Sequence, residues 1–487
     1  MTLDSRAVRS GSCRQARARS ARSPGQGPAV RLVRRLPARA ALAALALAAP
    51  PAALADDLTL PALTPAPLLT ADRDAWTVWT QPHLFGDWGG LRPRLSALGV
   101  DVTLTGVDEA VANLSGGVRQ TVQEAGQVGL QAKFDLQKII GLPGGSFEVT
   151  LVDRWGGNLA ADAGIPALQL LNEVYGRGNI VRTEEFAYKQ KMFDDRFELS
   201  VGRLAFGDEF FSFSCNFVNL TFCGSAPGNI VGDYIYNWPV SQWAAVGKVN
   251  LPADLYLKAA VFDANPDYLG AKPSVAFWPS FPDNSQGLIV PVELGWKPKF
   301  GALLGDDTIG GWWNNSAAPN AATSVDGQPI LVSGLPAQPG HGRYGFSANL
   351  QQMLVHDAAN PDPKNGLYGF FNVTVADRRT ATQDAQIALG VFQQGVGSRA
   401  RDGFGVAVGG TQVNPNVANA QAQANVLGLG PGYVQHIEYA TEAWYGWQAT
   451  GWLNLKFDTQ YVMCPGGYTA PNNRNAFVLG VRTTVDF

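Results

Sequence analysis

From about residue 98 to its end the chain alternates apolar and polar side chains with a period of two, in one segment after another. Successive side chains of a β-strand point to opposite faces of the sheet, so the pattern describes strands with one apolar and one polar face. In segment 127–136 one face carries Val128, Leu130, Ala132, Phe134 and Leu136, the other Gln127, Gly129, Gln131, Lys133 and Asp135. Segment 453–461 sets Leu453, Leu455, Phe457 and Tyr461 against Asn454, Lys456, Asp458 and Gln460. The last run sets Phe477, Leu479, Val481, Val485 and Phe487 against Gly480, Arg482, Thr484 and Asp486. A soluble sandwich has no need to sustain this over a whole chain. A sheet with lipid on one side and water on the other does.

Marking such runs predicts about 16 strands of roughly 9–14 residues, the length that crosses a bilayer at a tilt. They fall at 98–112, 123–138, 145–154, 179–192, 196–206, 241–250, 254–263, 286–299, 306–315, 342–356, 365–377, 385–397, 402–411, 435–447, 452–463 and 475–487. The even-to-odd links are mostly short, such as Phe193-Asp194-Asp195 and Leu251-Pro252-Ala253, while most odd-to-even links are long: 155–178, 207–240, 264–285, 316–341, 412–434 and 464–474. The implied class is all-β, a transmembrane antiparallel β-barrel with short periplasmic turns, long extracellular loops and both termini in the periplasm. Aromatic belts at headgroup level are expected where Trp444, Tyr445, Trp447 and Trp452 surround one short turn, and where Trp296, Phe300, Trp312 and Trp313 flank another.

Composition agrees. Charged residues are only 16% of the chain, with 55 glycines and 10% aromatics, against roughly 25% charged in a soluble domain. No apolar run of about 18 residues follows the N-terminal region, which excludes a helical membrane protein. A formal net charge of −3 leaves no basic footprint for nucleic acid.

At the N-terminus Arg31, Arg34, Arg35 and Arg39 precede the apolar run 40–49, then two prolines and Ala53-Leu54-Ala55. This reads as a cleaved signal peptide over 1–55. A translation start near Val30 would account for its unusual length. Residues 56–97 form a periplasmic N-terminal segment with a short helix near 91–98, and 98–487 the barrel. Cys13 leaves with the signal, and Cys464 stands far from the rest in sequence. Cys215 and Cys223, eight residues apart, are a candidate disulfide in an oxidising compartment.

No chemistry-bearing motif emerges. His83, His341, His356 and His436 are scattered, and no His-x-x-x-His, Cys-x-x-Cys, Gly-x-Ser-x-Gly or P-loop spacing occurs. No cofactor is implied and an enzyme is not expected. The segment before the barrel is too short for the plug of a gated transporter of about 22 strands.

Residues 85–95, Phe-Gly-Asp-Trp-Gly-Gly-Leu-Arg-Pro-Arg-Leu, resemble the G-D-W-G-G-x-R-x-x-L signature of the carbohydrate-selective porins, the OprB family. Further pieces similar to the family follow in order: 141–147, Phe193-Asp194-Asp195, Gly202-Arg203, the Cys215–Cys223 stretch, Glu442 to Trp447 and Asp458 to Tyr461. The resemblance implies a 16-stranded barrel with a narrowed channel for passive diffusion of glucose-like mono- and oligosaccharides; a general or anion-selective porin is the alternative. The chain departs from the family at Ala449-Thr450-Gly451, where a proline turn is usual, and at Cys464. The aromatic C-terminus, Phe487, looks like the signal that barrel assembly machinery reads. Monomer and trimer both stay open.

In such a pore, selectivity comes from width, lining groups and electrostatics. Loop 207–240 is the candidate constriction, with Asp208 and Glu209 at its start. Inward-facing candidates for solute contact are Glu109, Lys133, Arg154 and Lys456. On strand 179–192, Glu185 and Lys189 face inward if Phe186 and Tyr188 face lipid, and Arg182 and Glu184 if the parity is reversed. Arg203, beside Gly202, faces inward if a bulge redirects it.

Overall fold

The computed structural model describes residues 77–487 apart from 214, 359, 361 and 472. The signal peptide expected at 1–55, Cys13 within that stretch and the first part of segment 56–97 lie outside the described residues.

Sixteen strands close into an antiparallel barrel. They are β1 (Val100–Ser115), β2 (Val122–Asp135), β3 (Gly145–Gly156), β4 (Val181–Met192), β5 (Phe197–Leu204), β6 (Gln242–Asn250), β7 (Leu255–Asp263) and β8 (Leu288–Trp296). They continue as β9 (Leu303–Ala317), β10 (His341–His356), β11 (Gly366–Ala376), β12 (Gln383–Val396), β13 (Arg399–Val413), β14 (Ile437–Gln448), β15 (Leu453–Met463) and β16 (Ala476–Asp486). Each strand pairs with its sequence neighbours, and β1 pairs with both β2 and β16, so no edge is left open. Among the described residues no helix is long and apolar enough to cross a membrane.

The expected strand limits agree with the observed ones to within three residues. One difference has a local cause. Strand 123–138 stops at Asp135 because that carboxylate caps a short helix, Leu136–Ile140, by accepting the N–H groups of Gln137 and Lys138.

Cross-strand register confirms the parity of the faces. Leu104 lies opposite Leu130, which lies opposite Leu151, and Phe371 opposite Leu389, which lies opposite Val408. Exposed apolar side chains such as Leu350, Leu389 and Val408 form the outer surface. Polar side chains on the alternate positions form the lumen wall.

The aromatic expectation needs one correction. Trp296 and Phe300 pack edge to face at 5.9 Å beside a short turn, and Trp313 and Trp447 are exposed. Trp312 and Trp444 are not belt residues. They sit at the alternate parity and point into the lumen, where Trp312 is 3% exposed and Trp444 meets Phe217 at 6.1 Å. The period of two, and not clustering in sequence, decides which face a residue takes.

Residues 77–98 cover the short-turn end. The glycines of the Gly-Asp-Trp-Gly-Gly stretch turn the chain: Gly86, Gly89 and Gly90 have φ of 58°, 65° and 93°, the left-handed region. The Asp87 carboxylate accepts the Gly90 N–H at 3.0 Å. This delivers a short helix, α1 (Leu91–Ala97), and places Arg92 over the Trp88 ring at 4.5 Å. The Arg92 guanidinium donates to the Phe487 oxygen, Leu84 N–H donates to the Asp486 carbonyl at 2.8 Å, and the rings of Phe85 and Phe487 lie 5.6 Å apart. The two ends of the described chain are thus tied together at one mouth.

The two-faced wall predicts an asymmetric response to charge. Leu389→Arg, on the outer face at mid-strand, is expected to destabilise the barrel by about 2–4 kcal/mol, whereas Gln131→Arg on the inner face changes little. Heat-modifiable gel migration measures both; equal loss in the two variants contradicts the assigned faces.

Candidate functional site

The lumen is not an open tube, because two long loops turn back into it. The longer, 205–241 between β5 and β6, starts with a single helical turn, Phe206–Glu209, whose apolar partners sit on the inner wall. Phe206 packs on Phe262 at 5.3 Å, and Phe211 on Trp312 at 6.1 Å. Trp312 donates its indole N–H to the Tyr234 hydroxyl at 3.0 Å. Further along, Phe217 packs against Phe222, Phe370 and Trp444 at 5.4–6.1 Å. Cys215 and Cys223 are joined by a disulfide within this loop, with Cα atoms 4.2 Å apart.

Burying loop backbone inside the barrel requires partners for its N–H groups. Wall glutamates supply them. Glu293 on β8 accepts the Phe211 N–H at 2.6 Å and the Tyr256 hydroxyl at 2.9 Å, with the Lys258 ammonium at 3.6 Å. Glu442 on β14 accepts the N–H groups of Val218 and Asn219 at 2.7 and 2.8 Å. The second loop, 157–180, is held likewise. Glu438 accepts from Leu168, Gln169 and Gly466, and Glu109 accepts from Val174 at 3.1 Å. The loops also bond to each other, through Glu173 N–H to the Val218 carbonyl at 3.1 Å and Leu220 N–H to the Leu170 carbonyl at 3.0 Å. A hydrogen bond to an ionised acceptor contributes roughly 1.5–3 kcal/mol, about twice a neutral one.

The candidate residues fall into four places. Beneath the loop, a cavity of about 440 Å³ is lined by Thr105, Gln127, Glu148, Glu184, Glu185, Lys189, Asp208, Glu209 and Trp238, among others. Lys189 pairs with Glu185 at 2.6 Å and Glu148 at 2.9 Å, and Lys133 reaches the same Glu148 at 3.2 Å. A register shift in β4 opposite Thr150 and Leu151 turns Glu184 and Glu185, adjacent in sequence, both into the lumen. Thus both parities considered for this strand contribute. Burial raises the Asp208 carboxyl to about 6, with Glu209 and Glu185 adding to the shift.

Arg154 stands in the wall beside that cavity. It is 6% exposed, and its Nε donates at 2.9 Å to Gln127, whose amide oxygen also accepts from the Trp238 indole at 3.1 Å. Glu109 belongs to a separate buried group, paired with Arg482 at 3.4 Å, which in turn holds Glu173 at 2.9 Å. Arg203 lies elsewhere. Its strand position is opposite Phe186, and its guanidinium is enclosed by the carbonyls of Val275 and Ser241 with the Tyr268 ring at 4.7 Å. Lys456 donates to the Asn216 carbonyl and lies 4.4 Å from the Trp444 ring.

Reasoning from sequence did not single out Glu293, Glu438, Glu442 or Glu173. Parity would have put the three strand residues in the lumen, but their role depends on loop amides distant in sequence. Removing the Glu442 carboxylate leaves two buried N–H groups unpaired, about 1–3 kcal/mol each. Glu442→Ala is therefore expected to raise and destabilise open-channel conductance in a planar bilayer while the barrel stays heat-modifiable. An unchanged, quiet conductance would show that the carboxylate does not hold the loop.

Comparisons with known proteins agree with this architecture. The family model described as "Carbohydrate-selective porin, OprB family" matches residues 119–487. Porin B of Pseudomonas aeruginosa is 35% identical over 420 residues, covering 83% of this chain and 91% of that protein. The putative porin QuiX of Acinetobacter baylyi is 30% identical over 438 residues, covering 86% and 96%. The high-pH structure of Pseudomonas putida OprB superposes with a TM-score of 0.80 at 32% identity, covering 85% of this chain and all of that one.

Proposed function

The chain belongs to the OprB family of carbohydrate-selective porins and is an outer-membrane β-barrel porin, and from that premise we propose that glucose-like mono- and oligosaccharides cross it passively through the cavity beneath loop 205–241. The observation that carries this reading is the loop itself. Fastened to Glu293 on one wall and Glu442 on another, it divides the lumen into narrow passages lined by hydrogen-bonding groups and aromatic faces. Sugars offer hydroxyls and a weakly apolar ring face, which such a surface holds loosely enough to release.

Lys133, Glu185, Lys189, Asp208 and Glu209 line or adjoin this passage as solute-contacting groups, while Arg154 positions Gln127 and Glu109 helps anchor loop 157–180. Around the cavity Glu148, Glu185, Asp208 and Glu209 outnumber Lys133 and Lys189. That excess disfavours the anion-selective alternative, since a negative lining repels anions and leaves neutral solutes unaffected. Phe487 acts first as the residue read by the assembly machinery and then as the anchor of residues 77–98.

Two measurements test the reading. Liposomes carrying the protein should take up glucose faster than a size-matched charged solute such as gluconate; equal rates contradict carbohydrate preference. The Asp208 carboxyl is neutral below about pH 6 and charged above it. Cation over anion permeability should therefore fall as pH drops from 7.5 to 5, and this dependence should weaken in Asp208→Asn. A selectivity that is flat with pH in the parent protein removes Asp208 from the passage.

A further inference from the structure

Arg203 stands on the outer face of the wall, and what encloses it lies outside the pore. Alternation along β5 sets Leu199, Val201 and Arg203 on one side, and Val201 is exposed on the barrel's outer surface. Arg203 lies opposite Phe186 on β4 and Trp243 on β6, and Phe186 packs edge to face at 4.9 Å on Phe147 of β3. It is the seventh residue of β5 from the short-turn end, which puts it roughly 15 Å up an outer apolar band about 25 Å tall. A charge at that height is costly if left to acyl chains. Yet Arg203 is 1% exposed, because loop 264–285, between β7 and β8, folds over the outside of the barrel. The Val275 carbonyl of that loop accepts from the guanidinium, and the Tyr268 ring covers it. Two neighbours hold the loop in the same way. The Thr183 hydroxyl, opposite Leu151 on the outer face, donates to the Phe277 carbonyl, and the Trp243 indole N–H donates to the Ser280 carbonyl at 2.9 Å.

Segment 273–282 of this loop, Pro-Ser-Val-Ala-Phe-Trp-Pro-Ser-Phe-Pro, carries no charge. Its backbone suits a medium that offers few hydrogen bonds. Pro273, Pro279 and Pro282 have no N–H to satisfy. The N–H groups of Val275, Ala276, Phe277, Trp278 and Ser280 bond to carbonyls within the loop, and the wall side chains just named take three of its carbonyls. Outermost are Trp278 and Phe281, 63% and 73% exposed. Phe281 stacks on Trp243 at 4.1 Å with the planes 7° apart, and Trp278 meets Phe277 edge to face at 5.2 Å. Toward the short-turn end the same outer surface continues as exposed Val201, Val249, Leu257 and Val261. We propose that segment 273–282 is immersed in the outer leaflet of the membrane, with Trp278 and Phe281 at the boundary between acyl chains and headgroups. Lipid is the occupant of this face because the face continues the barrel's lipid-facing wall. Its rings carry a polar edge, which suits that boundary, and it offers no charge to a phosphate or to a charged protein surface. A loop that length and position assign to external water thereby becomes part of the membrane-contacting surface, whichever solute crosses the pore.

The test reconstitutes the full-length protein into phosphatidylcholine liposomes, with or without bromine on the upper part of the acyl chains. Tryptophan emission of the parent is compared with that of Trp278→Phe, so that the difference reports Trp278. That difference should fall by about half in the brominated lipid, since a ring at the boundary meets lipid on its exposed side. Acrylamide in the water should leave it nearly unchanged. Phe281→Trp gives the converse reading by adding a bromine-quenched component, and it carries the test should Trp278→Phe fail to assemble. Heat-modifiable migration certifies each barrel. Quenching by acrylamide but not by bromine would place the loop in water and overturn the proposal. Resistance to both quenchers would mean that a second copy of the chain covers the rings, and would overturn it equally.

Discussion

Glu109, Glu293, Glu438 and Glu442 stand on the polar faces of three strands, and each accepts backbone N–H from loops inside the lumen. A loop cannot lie in a barrel unless its amides are satisfied, and water in a crowded lumen satisfies them without fixing any one geometry. A carboxylate does both. It accepts one to three N–H groups and holds the segment in register with a particular strand. Removing these charges from bulk water is costly. Arg482 beside Glu109 and Lys258 beside Glu293 offset part of that cost. The channel's internal shape follows from these contacts.

The rest of the structure supplies the frame on which they act. Sixteen paired strands leave no open edge, so away from the bulged positions the polar backbone groups of the wall pair within the sheet. The period of two then assigns lipid and lumen faces without further instruction. Loop 205–241, pinned to β8 by Glu293 and to β14 by Glu442, separates a charged passage against β1 to β4 from a neutral, amide-and-phenylalanine space against β9 to β12. One loop thereby divides the lumen lining into two chemically distinct parts.

Much of this frame was legible in advance because strand pairing in a membrane barrel is governed by local alternation. Segment 127–136 shows Leu130 outward and Gln131 inward by pattern alone, and the structure places them so. Legibility failed where long-range contact or a local irregularity takes over. Trp444 and Trp312 were grouped with a belt by proximity in sequence, yet their strands turn them inward. In β4 the shift opposite Thr150 turned both Glu184 and Glu185 to the lumen, which strict alternation forbids. Arg203 is enclosed by residues of loop 264–285 that lie some seventy positions away. The pairing of Glu442 with Val218 and Asn219 spans more than two hundred residues, and no local pattern announces it.

The claim that wall carboxylates hold the loop inside the pore is tested most directly by amide hydrogen exchange on the folded protein in detergent micelles. The N–H groups of Phe211, Val218 and Asn219 belong to a loop, but each donates to a buried carboxylate. They should therefore exchange as slowly as those of the neighbouring barrel strands. Exchange at the rate of exposed loop amides would contradict the account, because the loop would then be free to leave the lumen.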